Sequence, residues 1–317
     1  MWDLAVREDD YRAVDGMLRR YKNAPLSFRI LPAYARHDSA AIAALHEEAR
    51  TLDARQSQIA ARYVATFLKD FSSAADLARL DLQPRRNVGI RLTAQTFLAW
   101  LEVARGRWPA ADSAFALAEH MDGGEEVVAE HALAASLPFV SAPAADLERL
   151  RRSISSWKPA ADQSSLTAAL KPQLRLYILG LLASRLGDAS GAEERAREID
   201  RLPAPSDARR VPAALAATVR ADIAWHAKRY ADVLKLLELA DGSIPLELVQ
   251  ARPFVNTRPF TQEHARFLRA EALRALGRGD EARRWLEYGF QGSPWELVYL
   301  APVEQRLSSN GGAGASR

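Results

Sequence analysis

At 317 residues the chain is long enough to bury a large core, and its 48% hydrophobic and 26% charged content is that of a soluble globular protein. It contains no cysteine, which excludes disulfides, thiol catalysis and cysteine-ligated metals. The 43 basic and 40 acidic residues leave a net charge of only +3. Arginine pairs are scattered among acids along the chain, so the surface reads as solvated helix and not as a nucleic-acid footprint. No uninterrupted apolar run approaches the ~20 residues of a membrane helix, so no membrane insertion is expected. The opening stretch MWDLAVREDDYRAVDGML is acidic and amphipathic, unlike a signal peptide, and points to the cytoplasm.

Ala, Leu, Arg and Glu dominate while the β-branched residues are sparse, which favours helix throughout. In chain order, 2–21 reads as the remnant of a helix pair, with Tyr11, Val14 and Leu18 on its apolar face. Helix pairs follow at 24–36 with 38–52, 55–70 with 72–80, 97–121, 125–137 with 143–154, 176–199, 217–240 and 266–290. Long connections interrupt them at 155–172, 201–212 and 241–260. The last of these holds Pro245, Pro253 and Pro259 among many apolar residues, a composition expected to pack back on the body or act as a lid. The single repeat domain is expected to span 1–307, with 308–317 a disordered Gly/Ser-rich tail.

Three of these pairs share one spacing. Around Gly106 stand Ala99 seven residues before, and Ala111, Phe115 and Ala118 five, nine and twelve after. Gly180, Gly187, Ala192, Ala196 and Ile199 repeat it, as do Ala270, Gly277, Ala282, Leu286 and Gly289. A weaker copy runs through Ala221, Lys228, Val233, Leu237 and Ala240. Small residues late in one helix and early in the next let two backbones approach, and the apolar residue four positions on fills the seam. Glycine between them supplies the left-handed conformation that ends the first helix. Asp188 and Asp280 then face the positive end of the second helix, and Pro109 fits a first turn. The stretch Gly277-Arg278-Gly279-Asp280 is by this reading an interhelical turn, neither a phosphate loop nor an adhesion tripeptide, because helix instead of strand precedes it.

This pattern resembles the tetratricopeptide repeat. The resemblance implies an all-α fold, a right-handed superhelix of about seven antiparallel helix pairs with irregular long connections. The Ala/Arg-rich runs LAWLEVARGRW and ALRALGRGDEARRWLE are also similar to C-terminal repeat regions of multidomain bacterial signalling proteins. Entry into the first pair midway suggests an accessory part of a longer protein, with an open apolar face that admits a homodimer.

No catalytic motif emerges. There is no Gly-x-Ser-x-Gly elbow and no Walker-type lysine loop, and HEEAR at 46–50 lacks the second histidine of a zinc helix. His120 and His131 flank an acidic turn with Asp122 and Glu130 but have no convergent third ligand. The expectation is a non-enzyme without cofactor or metal. In the resembling family the first helices line a concave groove for a peptide or partner helix. Carried over by position, that wall comprises Thr96, Trp100, Tyr177, Leu181, Thr218, Asp222, Trp225, His226, Phe267, Glu271 and Arg274. The lysines and asparagines of the family's carboxylate clamp are missing from these places, so an apolar segment or partner helix is expected rather than a free C-terminus. The function so read is a scaffold for a protein or peptide; the alternative is a regulatory sensor enclosing a small ligand.

Overall fold

A computed structural model describes residues 10–21, 24–51, 54–159, 165–238, 263–287 and 294–311. Among them the regular elements are all helical, and no helix is long and apolar enough to cross a membrane. The chain divides into two compact units. The first comprises Met1–Glu125 with Gly292–Val298, the second Glu126–Gln291 with Tyr299–Arg317. The boundary falls after Asp122-Gly123-Gly124-Glu125, a segment without an apolar side chain.

The first unit contains α1 (Tyr11–Arg20) and the pairs α2 (Leu26–Ala35) with α3 (Ser39–Thr51), α4 (Ala54–Phe67) with α5 (Phe71–Arg79), and α6 (Val88–Ala104) with α7 (Trp108–Glu119). The second holds α8 (Val127–Ser136) with α9 (Ala144–Ser156), a short α10 (Leu166–Ala169), α11 (Lys171–Arg185) with α12 (Ala189–Arg201), α13 (Val211–His226) with α14 (Tyr230–Glu238), and α15 (Glu263–Ala275) with α16 (Gly279–Glu287). Within this unit each first helix packs on its own partner and on the next first helix, and each second helix packs on the first helix that follows. The result is a stack in chain order, α8/α9 to α11/α12 to α13/α14 to α15/α16.

The interhelical turns repeat at the level of backbone hydrogen bonds. At Gly106, Gly187 and Gly277, φ is 70°, 79° and 76°. At each of them the following residue's N–H reaches the carbonyl five positions back: Arg107 to Glu102, Asp188 to Ala183, Arg278 to Leu273. The same closure occurs at His37 and Lys228, also in the left-handed region, through Asp38 to Ala33 and Arg229 to Ala224. Five pairs therefore share one turn, two of them without glycine. The seam residues Ala99, Ala111, Phe115 and Ala118, Ala192, Ala196 and Ile199, and Ala270, Ala282 and Leu286 are all buried. Asp188 caps α12 by accepting the Gly191 N–H at 2.9 Å.

One long helix was not foreseen. α17 (Pro294–Gly311) has Pro302 within it, and it runs through four residues assigned to the tail, so 308–311 are helical. Residues 312–317 lie outside the described residues, as do 2–9 of the expected N-terminal pair and the whole 241–260 connection.

Candidate functional site

The residues expected to line a groove fall into both units. Thr96 and Trp100 belong to α6 in the first. Trp100 is completely buried and stands edge-on to Phe115 of α7, their ring centroids 5.4 Å apart. Thr96 is buried too, its hydroxyl donating to the Leu92 carbonyl of its own helix at 2.9 Å. Both positions are interior, a correction to their placement on an open wall: the one-turn spacing that faces a groove also faces a seam.

In the second unit α11, α13 and α15 present Tyr177, Leu181, Thr218, Asp222 and Phe267 in succession, and all five are buried. They too are closed over. Tyr299 of α17 fills the space beside them, in contact with Phe267 at 5.7 Å and with Phe139 at 5.2 Å between ring centroids. Phe139 and Phe267 themselves meet at 5.3 Å and 70°, the edge-to-face geometry aromatic rings prefer. The sequence reading missed Phe139 because it sits in the turn between α8 and α9. It missed Tyr299 because its segment lacks the repeat spacing.

Beside this aromatic cluster lies a buried polar one. Asp222 is 1% exposed and takes a hydrogen bond from His264 Nε2 at 3.2 Å, with His264 itself 2% exposed. The other carboxylate oxygen lies 3.5 Å from His226 Nε2, one turn along the same helix and half-exposed. Burial alone pushes the Asp222 carboxyl up. The His264 hydrogen bond, the charges of His264 and His226 and the nearby Ser184 hydroxyl outweigh it, and the carboxyl lies below its ordinary value. Burial pushes the Tyr177 hydroxyl well above its usual range, with Asp222 and Glu263 adding to it, and Tyr299 moves the same way for the same first reason. Both stay neutral. Burial pulls the Arg185 guanidinium down against the opposing pull of Asp222, and it donates to the carbonyls of Leu137 and Val140 at 2.7 and 2.9 Å. A carboxylate between two imidazoles is familiar from general-base chemistry, but here the better-bonded imidazole is sealed from solvent. The Asp222–His264 bond ties α13 to α15, and Arg185 ties α11 to the segment between α8 and α9.

Four of the expected residues remain accessible. Trp225, Glu271 and Arg274 converge on an open cleft of about 500 Å³, completed by Tyr230, Ala275, Gly277 and Gly279. Trp225 packs on the side toward the Ala224–Val233–Leu268 core, and His226 stands edge-on to it at 4.9 Å. Glu271 ties to Arg274 at 2.9 Å. The cleft thus combines an aromatic face, a phenol and an ion pair at the junction of two hairpins. Among the described residues no group of three or more His, Asp or Glu side chains is placed to hold a metal ion.

No family model matches this chain, and no curated protein or solved structure matches it.

Proposed function

We propose that the protein is a non-catalytic helical-repeat scaffold of the tetratricopeptide type that holds a protein or peptide segment, as the accessory module of a bacterial signalling protein. The observation that carries this reading is the convergence of Trp225, Glu271 and Arg274 on one open cleft from two successive hairpins, with Trp225 and Arg274 at the same place in their repeats, three residues before the turns at Lys228 and Gly277. Tryptophan and arginine dominate interface hot spots, because they bury large areas with few torsions to freeze. The ion pair at the cleft wall offers orienting hydrogen bonds to a partner's backbone or charged side chains. The five identical interhelical turns support the repeat character, and the order of packing in the second unit supports stacking.

The sensor alternative draws less support, because Tyr299 and the aromatic rings around it fill the interior in which a small ligand would be enclosed. The test is affinity capture with the wild-type chain and with Arg274→Glu as bait. A partner retained by the first and lost by the second, with unchanged circular dichroism, supports a cleft-bound partner. Equal capture by both, or capture of nothing, overturns the assignment.

A further inference from the structure

The second unit already holds a helical segment against its first-helix wall, the part of α17 from Tyr299 onward, and that segment belongs to the chain itself. Three residues of α17 carry the contact: Tyr299, Val303 and Arg306. At spacings of four and three they share one helical face. Tyr299 is fully buried against both Phe139 and Phe267, which also touch each other, and Val303 is buried one turn on. Arg306, a further turn on, directs Nε and Nη2 to the two carboxylate oxygens of Glu271, each at 3.2 Å. Its guanidinium also lies 5.5 Å from the centre of the Phe267 ring.

Glu271 links this contact to the cleft. The same carboxylate that holds Arg306 also holds Arg274, and it lines the open cleft beside Trp225. A partner cation entering the cleft therefore competes with Arg306 for one acceptor. The tether it must break is partly solvated, with Arg306 about one-fifth exposed, and ion pairs in that setting are weak. The aromatic wedge at Tyr299 is the stronger element, and a competitor must replace it with a ring of its own.

We infer that α17 is an intramolecular occupant of the binding wall, and that the partner displacing it is an amphipathic helix carrying an aromatic residue and an arginine two turns apart. This rests on the scaffold reading above and specifies its partner. The resident helix shows what the wall accepts: a ring against the Phe139–Phe267 pair, an aliphatic residue four positions on, and an arginine onto Glu271 seven positions on. Helix-in-groove recognition is read through such spaced anchors. Occupancy in cis reduces the apparent affinity for any competitor to the intrinsic affinity multiplied by the open fraction.

The experiment uses the full chain and a fluorescent peptide with the sequence of residues 294–311, followed by anisotropy, with a scrambled peptide as control. The wild-type chain should bind it weakly. Tyr299→Ala loosens the resident helix and should bind it about tenfold tighter or more, the increase expected when a mostly closed site is opened. Adding Glu271→Gln to that variant should lower peptide affinity again, but only by about two- to fivefold, the scale of a partly solvated ion pair. Arg306→Ala, at the partly exposed end of the contact, should also raise peptide affinity and carries the test if Tyr299→Ala does not fold. Equal affinity for the peptide in the wild type and every folded variant, or no preference over the scrambled peptide, overturns the inference. That failure alone, with Arg274-dependent capture intact, leaves the scaffold reading standing. A peptide gain with no Arg274-dependent partner sinks the cleft and spares the resident helix.

Discussion

Asp222 and His264 face each other across two helices of the second unit, carboxylate to imidazole at 3.2 Å, in a setting from which water is almost wholly excluded. A hydrogen-bonded carboxylate so placed contributes little against a hydrophobic replacement of both partners. Removing one partner is another matter, because the other is left buried and uncompensated.

His264→Ala should therefore destabilise the protein by roughly 3–5 kcal/mol at neutral pH. The acid limb provides a second reading. Asp222 titrates lower in the folded protein than its ordinary value, so its contribution is fully present above the unfolded pKa of about 4 and is lost as pH falls through the folded value. Denaturant melts from pH 6 down to pH 2 should show this loss in the wild type, and Asp222→Asn should flatten it while lowering stability at pH 6. An Asp222→Asn variant with an unaltered acid limb would show that other carboxylates set it.

Gly180 tests the stack itself. A methyl group built there would come within 2.9 and 3.1 Å of the two Val219 side-chain methyls, on the first helix of the next pair. Val219 is buried and its β-branched side chain has one favoured rotamer in a helix, so it has no room to yield. Alanine gains up to about 1 kcal/mol in helix propensity over glycine, and overpacking costs about 1–3 kcal/mol. The expected net is a loss of about 1 kcal/mol for Gly180→Ala. In the double variant with Val219→Ala the clash is gone, so the two changes should be strongly non-additive. Additive losses in a double-mutant cycle would place the two helices further apart than described.

Much of this architecture was legible in the sequence where a residue type and a backbone need coincide. Gly106, Gly187 and Gly277 mark turns that demand positive φ, and the buried seam positions follow at fixed distances from each of them. The copies at His37 and Lys228 were faint or unseen because ordinary side chains there take the conformation that usually announces itself as glycine. The groove was harder to read. Small and aromatic residues facing a neighbouring helix and those facing a partner have the same spacing, so Trp100 and Tyr177 gave no sign that they were interior. α17 escaped because it belongs to no repeat, and its two prolines resemble the punctuation of a loop.

The turn geometry makes a prediction in the opposite direction. Lys228 sits at φ 58°, a conformation that costs an L-residue roughly 1–2 kcal/mol, while glycine adopts it freely at the price of about 0.5–1 kcal/mol in chain entropy. Lys228→Gly should raise stability by about 0.5–1 kcal/mol, and Gly187→Ala, where no neighbouring atom obstructs a methyl, should lower it by about 1 kcal/mol. Thermal melts of the pair check both signs. A destabilised Lys228→Gly would mean that the lysine side chain contributes contacts beyond its backbone role.

The cleft prediction turns on Trp225, which is neither sealed nor free. One side of its ring packs toward the Ala224–Val233–Leu268 core and the other borders the opening with Tyr230, Glu271 and Arg274. Truncation should then act in two places. Losing the packed side costs a modest part of the folding stability, since the alanines and Leu268 beneath remain packed on α14 through Val233 and Leu237. Losing the exposed side removes the largest apolar surface offered to a partner. Trp225→Ala should weaken a cleft-bound partner by roughly 2 kcal/mol, about thirtyfold in Kd, while the cooperative melt persists. Trp225→Phe should recover part of that affinity, because a ring still borders Tyr230. Calorimetry on the captured partner, with melts of both variants alongside, separates the two effects. If Trp225→Ala abolishes the melt and Trp225→Phe restores it without any partner being bound, the tryptophan belongs to the core alone and the cleft loses its anchor.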